Sequence, residues 1–164
     1  LDRGLSASDG VAALAIIALS NIAGTYLLGV WGGRLRRKNM LAILYLVRSG
    51  AMTLFVFLPL TTYGTYLFAA VMGFLWLGTV PLTNGLVSQV FGVRYIATLF
   101  GFVFFGHQVG SFLGVWLGGY LFEQTGSYHA IWSIAISVGV VSALAHWPID
   151  DRTLARAPSA AVGT

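Results

Sequence analysis

Residues 11–31 constrain this chain most: they carry no charged side chain over a length that, at 1.5 Å per residue, makes a helix of roughly 31 Å. A bilayer's hydrocarbon core is about 30 Å thick and offers no water to unpaired backbone groups, so one unbroken helix is the form that satisfies such a segment. The same character runs through the chain. Its residues are 57% hydrophobic and 9% charged, with mean hydropathy +0.83, against about 25% charged in an ordinary soluble domain. The expected fold class is therefore an all-α integral membrane protein. The chain lacks cysteine, which removes disulfides, cysteine-bound metals and thiol nucleophiles from consideration.

Five spans are expected. A small, polar start leads through Ser8 or Asp9, as a helix cap, into the first span at residues 11–31, where Asn21, Gly24, Thr25 and Gly29 form the small and polar set of a helix packed against others. The second, residues 40–60, carries Arg48 near its middle and ends at Pro59. The third, residues 65–90, is interrupted by Gly73, Gly78, Pro81 and Gly85, and Pro81 is expected to kink it. The fourth covers residues 95–122 and the fifth residues 129–147, with Trp132 and Trp147 suited to the two interfaces. Residues 1–149 thus form one membrane domain, and residues 150–164 a polar tail.

Charge orients these spans. The connector between the first two carries Arg34, Arg36, Arg37 and Lys38, and short loops rich in Lys and Arg stay in the cytoplasm. Of the nine cations, these four with Arg94, Arg152 and Arg156 fall on that side, Arg3 on the other, and Arg48 inside the membrane. The expected topology has the N-terminus outside and the C-terminus in the cytoplasm, in the cell's inner membrane. A nucleic-acid partner is not expected, because the cations form no stripe interleaved with exposed aromatics. Leu1 opens the chain without a basic leader before a short apolar core, and the chain reads as part of a longer one.

In the fourth span, glycine recurs every fourth residue, at Gly106, Gly110, Gly114 and Gly118. Each glycine costs a helix roughly 1 kcal/mol against alanine, but in a bilayer small residues at this spacing let two backbones approach closely. At 100° per residue the row covers about a third of the circumference, with His107 inside it and Phe105, Phe112 and Trp116 on the far side. The row is expected to pack against protein.

Ionisable groups at membrane depth are candidates for function. Arg48 suits an anionic group, a carboxylate above all, through charge-assisted and bidentate hydrogen bonds; the alternative is that it snorkels or caps backbone carbonyls. His107 can carry a proton in the physiological range or simply bond to a neighbouring helix. Asn21, Asn84, Gln89 and Gln108 either line a polar cavity or bond helix to helix. His129 and His146 sit at interfaces, and the three histidines lack metal-ligand spacing, so neither metal nor cofactor is expected. Enzyme motifs such as Gly-x-Ser-x-Gly and His-Glu-x-x-His are missing, and no carboxylate falls inside an expected span.

Two segments carry a family resemblance. Gly29-Val30-Trp31-Gly32-Gly33-Arg34-Leu35-Arg36-Arg37-Lys38 resembles the inside-loop motif of the major facilitator superfamily in its second-half copy, with Gly29, Gly32, Arg34, Arg37 and Lys38 in motif positions. Gly33 stands where the motif has aspartate and Arg36 where it has glycine. The run from Gly106 through Gly119 to Tyr128 is similar to the penultimate helix and outer loop of the monocarboxylate-transporter-like and oxalate/formate-type branches. The resemblance implies that the five spans correspond to helices eight to twelve of that fold, without the charged residue that several carboxylate carriers have in helix eight. It also implies secondary transport by alternating access, with the N-terminal half of the transporter supplied covalently or by a dimer.

The expected function is thus the second half of a carrier for a small organic anion, working by proton symport or exchange. Arg48, His107, Asn84, Gln108 and Asn21 would contact the substrate, and His107 would also carry the coupling proton. Rival expectations are half of a drug or metabolite efflux carrier and a non-transporting membrane scaffold.

Overall fold

A computed structural model of the chain describes residues 5–59 and 61–152. Its elements in order are helices α1 (Ala7–Gly32), α2 (Arg37–Phe57), α3 (Thr62–Trp76) and α4 (Thr79–Phe91), a 3₁₀ turn at Val93–Tyr95, and helices α5 (Ile96–Thr125) and α6 (His129–His146). The described residues contain no strand. With α3 and α4 taken together, five segments are long and apolar enough to cross a membrane.

Local chemistry explains where the helices begin and end. The cap of α1 is Ser6, one turn ahead of the expected Ser8 or Asp9. Ser6 Oγ accepts from the Asp9 N–H at 3.2 Å, and Asp9 Oδ2 accepts from the Ser6 N–H at 3.0 Å. This reciprocal pair is a capping box, and it uses Asp9 as the third helical residue. Helix α2 begins at Arg37, earlier than expected, so Arg37 and Lys38 occupy its first turn. It stops at Phe57 because Leu58 precedes Pro59, whose ring pushes the preceding residue into the extended conformation found there (φ −86°, ψ 152°). Leu60, expected to close this span, lies outside the described residues, as do Arg3, Arg156 and the tail from 153 onward. Helix α5 ends at Gly126, whose positive φ of 64° lets its N–H reach back to the Phe122 carbonyl at 2.8 Å.

The tightest packing joins α1 to α3 and α2 to α6, with α4 set against α1 and α2. At the α1–α3 crossing the backbones touch: a Cβ on Gly24 would fall on the Phe74 carbonyl, and one on Gly73 on the backbone of Ile17. At the α2–α6 crossing, Gly139 leaves room for Ser49, whose hydroxyl donates to the Ile136 carbonyl at 3.3 Å. Leu28, Leu41, Leu44, Leu75, Leu82 and Leu86 fill the space between α1, α2, α3 and α4. Helix α5 stands apart. It has no buried residue and meets the rest mainly through α4 and α6.

Candidate functional site

Polar side chains of α1 and α2 converge on the break between α3 and α4. Pro81 has no N–H, so the Leu77 carbonyl accepts from the Val80 N–H at 3.0 Å in a tighter turn. That shift leaves the Trp76 carbonyl without its usual helical donor. Arg48, in the middle of α2, supplies the shorter of two replacements: its Nη2 donates to the Leu75 carbonyl at 2.6 Å and to the Trp76 carbonyl at 3.1 Å, which the Thr79 hydroxyl also reaches at 3.5 Å. From the other side, Asn21 on α1 presents Oδ1 to the Leu77 N–H at 3.1 Å and to the Thr25 hydroxyl at 3.5 Å. Two polar side chains from separate helices therefore hold the two kinds of backbone group that the break exposes.

The guanidinium is incompletely matched. Its carbon lies 5.6 Å from the Tyr45 ring centroid, and its Nε is buried with no hydrogen-bond partner among the described residues. No carboxylate pairs with Arg48 among the described residues. The capping alternative read from the sequence is thus the arrangement present.

The other expected site residues are not gathered here. His107 and Gln108 lie exposed on α5, where the His107 ring sits 6.0 Å from that of Phe104. Asn84 is exposed on α4. Along the glycine row, a Cβ on Gly106, Gly110 or Gly114 would meet nothing within 4 Å, and one on Gly118 would lie 3.7 Å from Ile131.

A second polar cluster forms at the cation-rich end, and sequence reasoning did not find it. Arg36 grips Asp151 with Nη2 to Oδ1 at 2.6 Å and Nε to Oδ2 at 3.1 Å. Lys38 Nζ donates to the Ile149 carbonyl at 2.6 Å and stands 3.9 Å from Asp151. Gln89, at the end of α4, accepts from Arg37 Nη1 at 2.6 Å and donates to the Asp151 carbonyl at 2.8 Å. Asp151 is 8% exposed. The hydrogen bonds from Arg36 hold its carboxyl below the usual carboxylate range, against the upward push of burial. Arg34 of the same connector is exposed. The legible signal was that the acidic pair Asp150-Asp151 follows the last span on the side assigned to the cations.

Two polar clusters thus tie this bundle, one joining α1 and α2 to the break after α3, the other joining the α1–α2 connector, α2 and α4 to residues 149–151. The sequence profile of the Major Facilitator Superfamily matches residues 1–163. The chain belongs to that family. Two curated proteins of the superfamily are similar to it. The uncharacterized MFS-type transporter YcxA of Bacillus subtilis (strain 168) is 30% identical over 125 residues, covering 73% of this chain and 31% of YcxA. The uncharacterized MFS-type transporter YhjX of Escherichia coli (strain K12) is 26% identical over 99 residues, covering 60% of this chain and 25% of YhjX. The aligned part is thus about a quarter to a third of these relatives' length. No solved structure matches the chain significantly. Membership in the superfamily points to a transporter rather than an enzyme, in an integral membrane setting.

Proposed function

We propose that the chain is the second half of a secondary active transporter, helices eight to twelve, that moves a small organic anion of the monocarboxylate kind by proton symport or exchange. Arg48 carries this reading: an intramembrane guanidinium without a carboxylate partner among the described residues favours an anionic cargo. Asn84 and Gln108 orient the cargo, His107 contacts it or carries the coupling proton, and Asn21, which holds the Leu77 N–H, serves the break between α3 and α4. The row Gly106, Gly110, Gly114 and Gly118 is the seam on which helices of the N-terminal half rock. In this reading Gly29, Gly32, Arg34, Arg37 and Lys38 form the cytoplasmic inside-loop motif of an inner-membrane protein whose N-terminus is outside.

Uptake of radiolabelled lactate or oxalate into proteoliposomes across a pH gradient tests the assignment, using the chain joined to or combined with its other half. Arg48→Ala abolishes uptake and His107→Ala removes its pH dependence; if both variants transport as before, the site is elsewhere. Robust uptake by demonstrably monomeric 164-residue chain would overturn the need for the other half.

An apolar cavity of about 360 Å³ between α2 and α3, lined by Ala51, Leu54, Phe55, Leu67, Phe68 and Val71 among others, favours a second reading, efflux of an apolar drug or metabolite. Retained transport in Arg48→Ala, with loss in Phe55→Ala or Phe68→Ala, would establish it.

A further inference from the structure

Arg48 and Asn21 do more than fill vacancies in a broken helix. They grip it on opposite sides of Trp76–Leu77, one from α2 through carbonyls and one from α1 through an N–H. The segment they hold is the only link between α3 and α4, and Pro81 prevents the ladder from closing across it without them. A carboxylate is a stronger acceptor for guanidinium than a peptide carbonyl and can engage two of its nitrogens at once. Arg48 Nε, buried and unmatched, is an unused donor for such an exchange.

We infer that Arg48 and Asn21 are the two halves of a pin on the α3–α4 hinge, and that a carboxylate ligand releases the hinge by taking Arg48 from the carbonyls of Leu75 and Trp76. This rests on the anion-carrier reading and adds to it the step linking binding to movement. In the unliganded protein the guanidinium fixes the angle between α3 and α4 through two carbonyls at the C-terminal end of α3. When a carboxylate binds, those carbonyls lose Arg48, which leaves Trp76 only the Thr79 hydroxyl at 3.5 Å, and the movement that follows draws the Leu77 N–H away from Asn21. The hinge then relaxes, and α4 moves relative to α3. Binding and pinning compete for one side chain, so weakening the pin on the Asn21 side must strengthen anion binding: the ligand no longer works against as populated a pinned state.

The absence of cysteine in the chain makes the test direct. Spin labels at Leu67→Cys on α3 and Phe91→Cys on α4, both exposed positions, in the chain joined to or combined with its other half, report the hinge by electron paramagnetic resonance in nanodiscs, with lactate and oxalate as probes and uptake of the same labelled protein measured in proteoliposomes. Either anion should shift the inter-label distance by something on the order of 2 Å, Arg48→Ala should adopt the shifted distance without ligand and ignore the anion, and Asn21→Ala should lower the half-saturating anion concentration roughly threefold. Arg48→Lys, which keeps the charge but loses the fork, serves if Arg48→Ala does not fold, and should move part of the way.

An unmoved distance in protein whose Arg48-dependent uptake persists would overturn the pin and leave the carrier reading standing. A shift in the Arg48 variants that neither anion reproduces would overturn ligand release. Weaker anion binding in Asn21→Ala would overturn the competition and assign Asn21 to substrate contact instead. Absence of any anion uptake or shift, with an apolar cargo transported in their place, would remove the carrier reading and the inference together.

Discussion

Arg36 and Asp151 meet as a bidentate pair, Nη2 on Oδ1 and Nε on Oδ2, although 115 positions separate them in the chain. The pair answers a local electrostatic problem. Arg37 and Lys38 occupy the first turn of α2, where the helix dipole already presents positive charge. Asp151, beside Lys38 and hydrogen-bonded through its own carbonyl to Gln89, places a negative charge at that turn and ties the end of the chain's described part to α2 and α4.

Asp151→Asn should therefore lower the thermal unfolding midpoint in detergent, and Arg36→Gln should lower it as well. The double variant should lose less than the two changes added, because both remove the same pair. Strict additivity in the double-mutant cycle would show the two side chains acting independently. Arg152→Gln is the control: its contact with Asp150 is 3.8 Å long and largely exposed, so its midpoint should stay where it was.

The same pair sets a pH dependence. Arg36 holds the Asp151 carboxyl below its ordinary value in the folded protein, whereas in the unfolded chain it titrates near 3.9 or so, about the usual aspartate value. A depressed folded value means that the unfolded state binds the proton first, so the stabilisation is fully present above pH ~4 and drains away as pH falls through the folded value. Unfolding midpoints measured from pH 7 downward should stay level on this account until about pH 4 and then fall. In Asp151→Asn that part of the acid slope should be missing.

The five spans and the interruption near Pro81 were legible because both follow from what a residue lacks: charge in one case, an N–H in the other. Arg48 was legible as a candidate but its partners were not, since the carbonyls of Leu75 and Trp76 have no side-chain signature. Glycine spacing did not show where the helices of this chain meet one another. The row on α5 is the periodic one, yet the close approaches within the chain occur at Gly24, Gly32, Gly73, Gly78, Gly85 and Gly139, all outside it. A span that is apolar all round does not announce which face meets protein, because lipid and protein interior are alike to its side chains. The Arg36–Asp151 pair escaped for another reason: charge counting assigned both groups to one side of the membrane but supplied no distance.

Gly73 and Gly110 should respond in opposite ways to alanine. At Gly73 the new Cβ would collide with the backbone of Ile17, which cannot swing aside, and the expected cost is about 1–3 kcal/mol, typical of overpacking. At Gly110 the space is open, and the better helix propensity of alanine should leave the isolated chain unchanged or more stable by up to roughly 1 kcal/mol. Unfolding titrations in mixed micelles distinguish the two. If α5 is the seam for the N-terminal half, Gly110→Ala should nonetheless slow transport in the assembled carrier, and normal transport there would leave the row with no packing role at that position.

Pro81→Ala tests the hinge from the side of its cause. Pro81 is the third residue of α4, a first-turn position where the missing N–H is tolerated, so its removal should cost little stability. What alanine adds is a donor at residue 81 for the Leu77 carbonyl, which frees the Val80 N–H to return to Trp76 in the ordinary ladder. The Trp76 carbonyl then has a backbone donor and no longer needs Arg48. The expected outcome is a straighter, stiffer third span, seen as increased amide protection from hydrogen exchange at residues 77–81, together with slower transport. Because the guanidinium is released from one of its two carbonyls, anion affinity should rise rather than fall. A variant that transports normally, with exchange at those residues unchanged, would mean that the break is maintained by the packing of α3 and α4 against α1 and α2, independently of the proline.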